Sequence, residues 1–239
     1  MAKITVLLEE LLESGAHFGH QTRRWNPKMG EYIYGQENGV HIFDLTKTKP
    51  MLEAALDFLT KTVSEGKTVL LLGTKKQIKD KVSEIAKEAG VPFVTERWLG
   101  GTISNFSQMK KSLKKLEEMK ANMASGVYKK FTKKERLLID REIVRLERFF
   151  GGMTSLTKVP DALFVIDTKR EAGAVREARE KKISIVGIVD TNSDPGSVDF
   201  PIPMNDDASR ALEYVLNLVR LAILEGKSKL NKKTATQKD

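Results

Sequence analysis

The sequence predicts a doubly wound α/β protein that carries a basic helical insertion. Three observations lead there. Four short, continuously apolar runs each have the length of one strand; segments of helical period lie between them; and residues 105–150 break that rhythm with heptad spacing and lysine doublets. At 239 residues the chain is long enough to bury a full core without disulfide or metal staples.

The strand runs are 68–73 (TVLLLG), 91–95 (VPFVT), 162–167 (ALFVID) and 183–189 (ISIVGIV), with a shorter fifth at 40–43 (VHIF). They are apolar throughout rather than alternating, as expected of parallel strands covered on both faces. Helical periods cover about 48–65, 75–89, 170–181 and 207–225. Strands alternating with helices imply right-handed crossovers and a mainly parallel sheet. Gly66, Gly90 and Gly226 each follow a helical pattern, where a left-handed cap is wanted. In the insertion, Phe106, Met109, Leu113, Leu116 and Met123 form one seam, weakened by Lys120, and Ile139, Ile143, Leu146 and Phe150 form another. Ser125-Gly126 supplies the turn of an antiparallel coiled-coil hairpin.

The chain therefore divides into a discontinuous α/β domain (1–104 and 151–226), a hairpin (105–150) and a tail (227–239). Charge follows the same division. The hairpin has 13 Lys+Arg against 6 Asp+Glu and the tail 5 against 1, whereas 1–104 has 14 against 13 and 151–226 has 9 against 12. The overall charge of +9 thus comes from two basic appendages on a near-neutral body. Lys110, Lys111, Lys114, Lys115, Lys129, Lys130, Lys133 and Lys134 lie off the seams without glutamates at i−4. They form either a solvated surface or a rod that tracks a phosphate backbone; the concentration of charge favours the rod. The tail has one large apolar residue, Leu230, too little to offset the entropy of ordering, so it is expected to be disordered. It is either a solubilising end or a second RNA contact.

The absence of cysteine removes disulfide scaffolds, thiolate zinc sites and cysteine nucleophiles, and it suits a reducing cytoplasm. No apolar run reaches the length of a membrane span, and the first residues lack a signal-peptide pattern. The stretch 17–29 (HFGHQTRRWNPKM) is basic and aromatic: Arg23 and Arg24 can pair phosphates, and Trp25, His17 or His20 can stack on bases. The same residues could instead anchor a structured loop. His17 and His20, three apart, could share a helix face and hold zinc with His41, although an HxxH pair is more often structural. Trp98-Leu99-Gly100-Gly101-Thr102 permits close backbone approach to a ligand or another segment. Gly73-Thr74-Lys75-Lys76 follows a strand but fits neither a P-loop nor a dinucleotide fingerprint; Thr74 is expected as a helix N-cap with both lysines exposed near an anion. Asp167 and Asp190 close strands where open sheets bind ligands. They supply the competing reading, a nucleotide- or metal-dependent enzyme, but without a base, nucleophile or phosphate cradle.

Taken in order, these segments resemble the bacterial-type family of ribosomal protein two of the small subunit. The resemblance rests on 15–29 (GAHFGHQTRRWNPKM), Gly73-Thr74-Lys75-Lys76, Arg97 to Thr102 with Asn105-Phe106, 160–167 (PDALFVID), 188–194 (IVDTNSD) with Pro195, and Ile202-Pro203 with 205–208 (NDDA). Gly30 and Tyr34 are minor departures from the family pattern. The resemblance implies a flavodoxin-like body with a protruding hairpin, no catalytic activity and no cofactor. It also implies a cytoplasmic, ribosome-bound protein whose partners are small-subunit ribosomal RNA and neighbouring ribosomal proteins, including ribosomal protein one. No membrane, small-molecule substrate or metal belongs to that expectation. The RNA-facing residues it suggests are His17, His20, Arg23, Arg24, Trp25, Asn26 and Lys28 in the first loop, Trp98, Thr102 and Asn105 in the second, and the hairpin lysines above. The net-negative 151–226 half is a further candidate for docking a protein.

Overall fold

A computed structural model describes residues 4–236. The chain begins with a short helix, α1 (Leu8–Glu13), and three antiparallel strands, β1 (Phe18–Gln21), β2 (Ile33–Glu37) and β3 (Val40–Phe43), in spatial order β1-β3-β2. The apolar run at 40–43 thus belongs to this small sheet and not to the parallel one. Asp44 then caps α2 (Leu45–Ser64) by accepting from Thr46 N at 3.1 Å.

The second sheet holds β4 (Val69–Leu72), β5 (Phe93–Val94), β6 (Ala162–Ile166), β7 (Ser184–Val189) and β8 (Phe200–Pro203), all parallel, in the order β5-β4-β6-β7-β8. Counted within the sheet this is the flavodoxin-like order 2-1-3-4-5, which places a topological switch between β4 and β6. Helix α3 (Lys79–Ala89) joins β4 to β5, α6 (Ala172–Glu180) joins β6 to β7, and α7 (Ser209–Thr236) follows β8. Side chains alternate across the sheet. Val69, Leu71, Phe164, Val186 and Ile188 enter a core with α2, α3 and α7 residues, whereas Leu70, Leu72, Leu163, Val165 and Ile185 enter a second core with α6 residues and Trp98. Both faces are covered, so both sets of positions must be apolar.

The fifth parallel strand, β8, lies outside the apolar runs of the sequence. Its sequence, Phe200-Pro201-Ile202-Pro203, carries two residues without backbone N–H groups. That is tolerated because β8 is an edge strand.

Between β5 and β6 the chain leaves the body as α4 (Phe106–Ala124) and returns as α5 (Lys133–Phe150). Phe106 at the start and Phe150 at the end pack against the same core, so the two helices run out and back. Gly126, at φ 77°, makes the turn, and Thr132 with Glu135 forms a capping box that starts α5. Met109, Leu113, Leu116 and Leu146 are buried, whereas Met123 near the tip is exposed. The predicted seam therefore closes toward the root and opens toward the tip.

Gly66 and Gly90 have φ of 74° and 59°, as helix ends require. Gly226 does not stop its helix. A Cβ there would stand 2.7 Å from Thr60 O and 2.8 Å from Val63 Cβ, so this glycine lets α7 pass close to α2. Helix α7 continues into the segment expected to be disordered. Lys227 Nζ donates to Gly90 O at 2.8 Å, Lys229 pairs with Glu225, and Leu230 lies near Gly66. These contacts supply the ordering energy that composition alone did not reveal; the last three residues of the expected tail, 237–239, lie outside the described residues.

Gly226→Ala separates two opposed expectations. Helix propensity alone would stabilise the protein by about 1 kcal/mol, but the clash with α2 backbone predicts a net loss of about 1–3 kcal/mol. Urea unfolding of the two chains measures the sign.

Candidate nucleic-acid interface

Two loops and the hairpin carry the residues suggested for RNA contact, and the structure sorts them into inward and outward sets. In the first loop, the backbone is tied to the turn after β7: Asn26 N donates to Thr191 O at 2.7 Å and His20 N to Thr191 Oγ1 at 2.8 Å. Asn26 Oδ1 accepts from Lys28 N at 3.0 Å and so caps a short 3-10 turn that begins at Pro27. Lys28 Nζ lies 2.6 Å from Asp194 Oδ2. Arg23 and Arg24 are exposed, with Arg23 Nε on Gln21 Oε1 at 3.0 Å. The Trp25 ring is 41% exposed beside His41, so a face of it is open to stacking.

His17 and His20 lie beside and within β1, not on a helix. Burial lowers the His17 pKa. His20 turns into the body, with Nδ1 3.0 Å from Asp190 Oδ1 and Nε2 3.7 Å from Asp207 Oδ2. The hydrogen bond with Asp190, working against burial, raises its pKa. The His20 imidazole, expected to face RNA, is engaged by carboxylates of this chain.

The second loop is held by Glu177 on α6. Its Oε1 accepts from Gly101 N at 2.8 Å and Trp98 Nε1 at 3.3 Å; its Oε2 accepts from Ile103 N and Ser104 N, both at 3.1 Å. Burial works against ionisation of Glu177, but the amides of Gly101, Ser104 and Ile103 hold its pKa below the usual range. Trp98 and Thr102 are buried, and Thr102 Oγ1 donates to Leu99 O at 2.6 Å. Both side chains anchor the loop from within. Asn105 stays exposed at the start of α4. Nothing in the spacing of Glu177 marks it, because its partners are backbone amides more than 70 residues away.

All eight hairpin lysines are exposed. Lys115 meets Glu142 at 2.9 Å and Lys114 meets Glu118 at 3.5 Å. Among the described residues, Lys110, Lys111, Lys129, Lys130, Lys133 and Lys134 have no carboxylate partner, leaving their charge to solvent or a ligand. Arg148 Nη2 and Lys79 Nζ both reach Glu96, at 2.6 and 3.1 Å, and fasten the base of α5 to the body.

The switch-point crevice is filled by the protein itself. Lys75 is buried, not exposed, and its Nζ lies 3.1 Å from Asp167, 2.6 Å from Asp206 and 2.7 Å from Asp207. Burial opposes the ammonium, but these carboxylates raise its pKa. Thr74 does not cap α3, which starts at Lys79; its hydroxyl donates to Glu171 Oε1 at 2.5 Å and accepts from Arg170 Nε at 3.0 Å. Asp190, wholly buried, accepts from Thr191 N and Oγ1 and from Asp206 N. Asn205 Oδ1 accepts from Asp207 N at 2.8 Å and Ala208 N at 3.2 Å, ordering the turn that leads into α7. The carboxylates proposed for catalysis are committed to structure.

This arrangement defines a class: a doubly wound α/β scaffold with its ligand crevice filled and a basic helical arm presented outward. The chain matches the family described as Ribosomal protein S2 across residues 11–226 and belongs to it. It is similar to the small ribosomal subunit protein uS2 of Coprothermobacter proteolyticus, at 46% identity over 93% of this chain and 83% of that protein. It is equally similar to the small ribosomal subunit protein uS2 of a Roseiflexus species, at 46% identity over 95% of this chain and 87% of that protein. The family is structural, so the enzyme reading of Asp167 and Asp190 is set aside. No described helix is long and apolar enough to cross a membrane.

Because the folded Glu177 pKa is lowered, its contribution is present above the ordinary glutamate range and is lost as pH falls through the lowered value. Glu177→Gln should cost about 1–2 kcal/mol at neutral pH and flatten the acid limb of the stability profile. It should also speed hydrogen exchange at Gly101, Ile103 and Ser104. Identical exchange and acid profiles in both chains would show that Glu177 does not hold the loop.

Proposed function

We propose that this chain is a structural component of the small ribosomal subunit that binds small-subunit ribosomal RNA through its hairpin and first loop. It would then reside on ribosomes in the cytoplasm. The observation that carries the reading is the set of six hairpin lysines left without carboxylate partners on an arm fastened at both ends. Arg23, Arg24, Trp25 and Asn105 add exposed groups suited to phosphate and base contact. Phosphate neutralisation by such an arm releases counterions and gives binding without base readout, while the body fixes its position by shape. The two curated relatives bear small-subunit names, which supports the same assignment.

Docking of ribosomal protein one rests on the family resemblance. A protein partner is also favoured by the exposed apolar side chains Leu8 and Leu12 of α1 and Tyr34 of β2, which line one shallow surface.

Filter binding to small-subunit ribosomal RNA across a salt series tests the RNA reading. Replacing Lys110, Lys111, Lys129, Lys130, Lys133 and Lys134 with alanine should weaken binding and flatten the log–log salt slope by roughly 0.7–0.9 for each contact removed. An unchanged slope would place the phosphate contacts elsewhere.

A further inference from the structure

Beyond the hairpin and loops, one buried cluster has a composition that the scaffold does not explain. A ring nitrogen of His20, an oxygen of Asp190 and an oxygen of Asp206 lie within 4.8 Å of one another. His20 comes from β1, Asp190 from the end of β7, and Asp206 from the turn between β8 and α7. Asp190 is 0% exposed and Asp206 1%. Lys75 takes Asp206 Oδ1, but Asp206 Oδ2 is buried without any hydrogen-bond partner. An unpartnered buried carboxylate oxygen costs several kcal/mol unless a cation or proton meets it.

Local charge points the same way. Asp167, Asp190, Asp206 and Asp207 converge on one ammonium, Lys75, and one imidazole, His20. Even with the imidazole protonated, four carboxylates face two cations. We propose that His20, Asp190 and Asp206 bind one zinc ion, which pins the N-terminal sheet to the switch-point end of the α/β body.

The ligand set selects the metal class. One imidazole nitrogen with carboxylate oxygens suits zinc, whereas magnesium and calcium prefer oxygen alone. Two ligands of a tetrahedral zinc stand about 3.4 Å apart for bonds of about 2.1 Å, and His20 Nδ1 already lies 3.0 Å from Asp190 Oδ1. A fourth position is left for water. The surroundings resemble a second coordination shell: Thr191 N and Oγ1 fix the Asp190 carboxylate, and Asp207 lies on the far side of the His20 ring. Lys75 does not compete, because it bonds the other oxygen of Asp206.

The test uses the untagged full chain. Its metal content is measured by inductively coupled plasma mass spectrometry. After EDTA treatment, calorimetric titration and thermal melting are followed with zinc chloride and with magnesium chloride. The expected result is one zinc per chain and a Tm that falls by about 5 °C on chelation and recovers with zinc but not with magnesium. Asp206→Asn keeps an oxygen for Lys75 but gives up the charge that pairs with it, so its own metal-free Tm is the baseline; against that baseline it should bind zinc at least about 100-fold more weakly. His20→Gln, whose side chain also hydrogen-bonds, should lose the zinc response as well. Substoichiometric zinc with no titration heat overturns the proposal; so does wild-type zinc affinity in both variants, or an equal response to magnesium.

Discussion

Lys75 carries a charge to the carboxyl ends of the parallel strands, at the point where β4 parts from β6. There it meets Asp167 from the end of β6 and Asp206 and Asp207 from the turn before α7. Burying such ions costs several kcal/mol each, offset only when every group is paired. The pairing is nearly complete, so the cluster joins elements that are far apart in sequence. It also occupies the crevice where open sheets of this order receive ligands. A fold widely used for binding small molecules is thereby turned into a scaffold. Asp190 extends the same network to His20 and so to the N-terminal sheet, whose loop rests on Thr191.

The second constraint is the carboxylate of Glu177. It gathers the amides of Gly101, Ile103 and Ser104 and the indole of Trp98, fixing the segment from which α4 departs. Glu96 secures the returning helix through Arg148 and Lys79. With both ends held, the arm projects its lysines from a body that gives them few carboxylates. The division of charge read from the sequence therefore survives folding: acids near the core are consumed internally, and the bases of the arm are not.

What the sequence made legible was whatever depends on local period and composition. Four of the five parallel strands, the helices between them and the out-and-back insertion follow from apolar spacing, because a two-sided parallel sheet and a packed helix each impose a period. The misreadings share another cause. β8 hides behind Pro201 and Pro203, acceptable only because that strand is an edge. Gly226 looks like a helix end until α2 is seen pressing on it, and the helix beyond it is held by Gly90 O and the neighbourhood of Gly66. Lys75 and Trp98 look like surface residues, and only the tertiary fold supplies the acids that draw them inward. In the candidate site, the exposed lysines and arginines were legible as charge, whereas Glu177 and Asp206 were not, since their partners lie far away along the chain.

The central claim is that the rooted arm gives its lysines to RNA. Lysine acetylation footprinting, read by mass spectrometry on the free chain and on small subunits containing it, tests this most directly. The account predicts that Lys110, Lys111, Lys129, Lys130, Lys133 and Lys134 react readily in the free chain and are protected in the subunit, with protection lost after ribonuclease digestion. Equal reactivity of these six lysines in both states would contradict it.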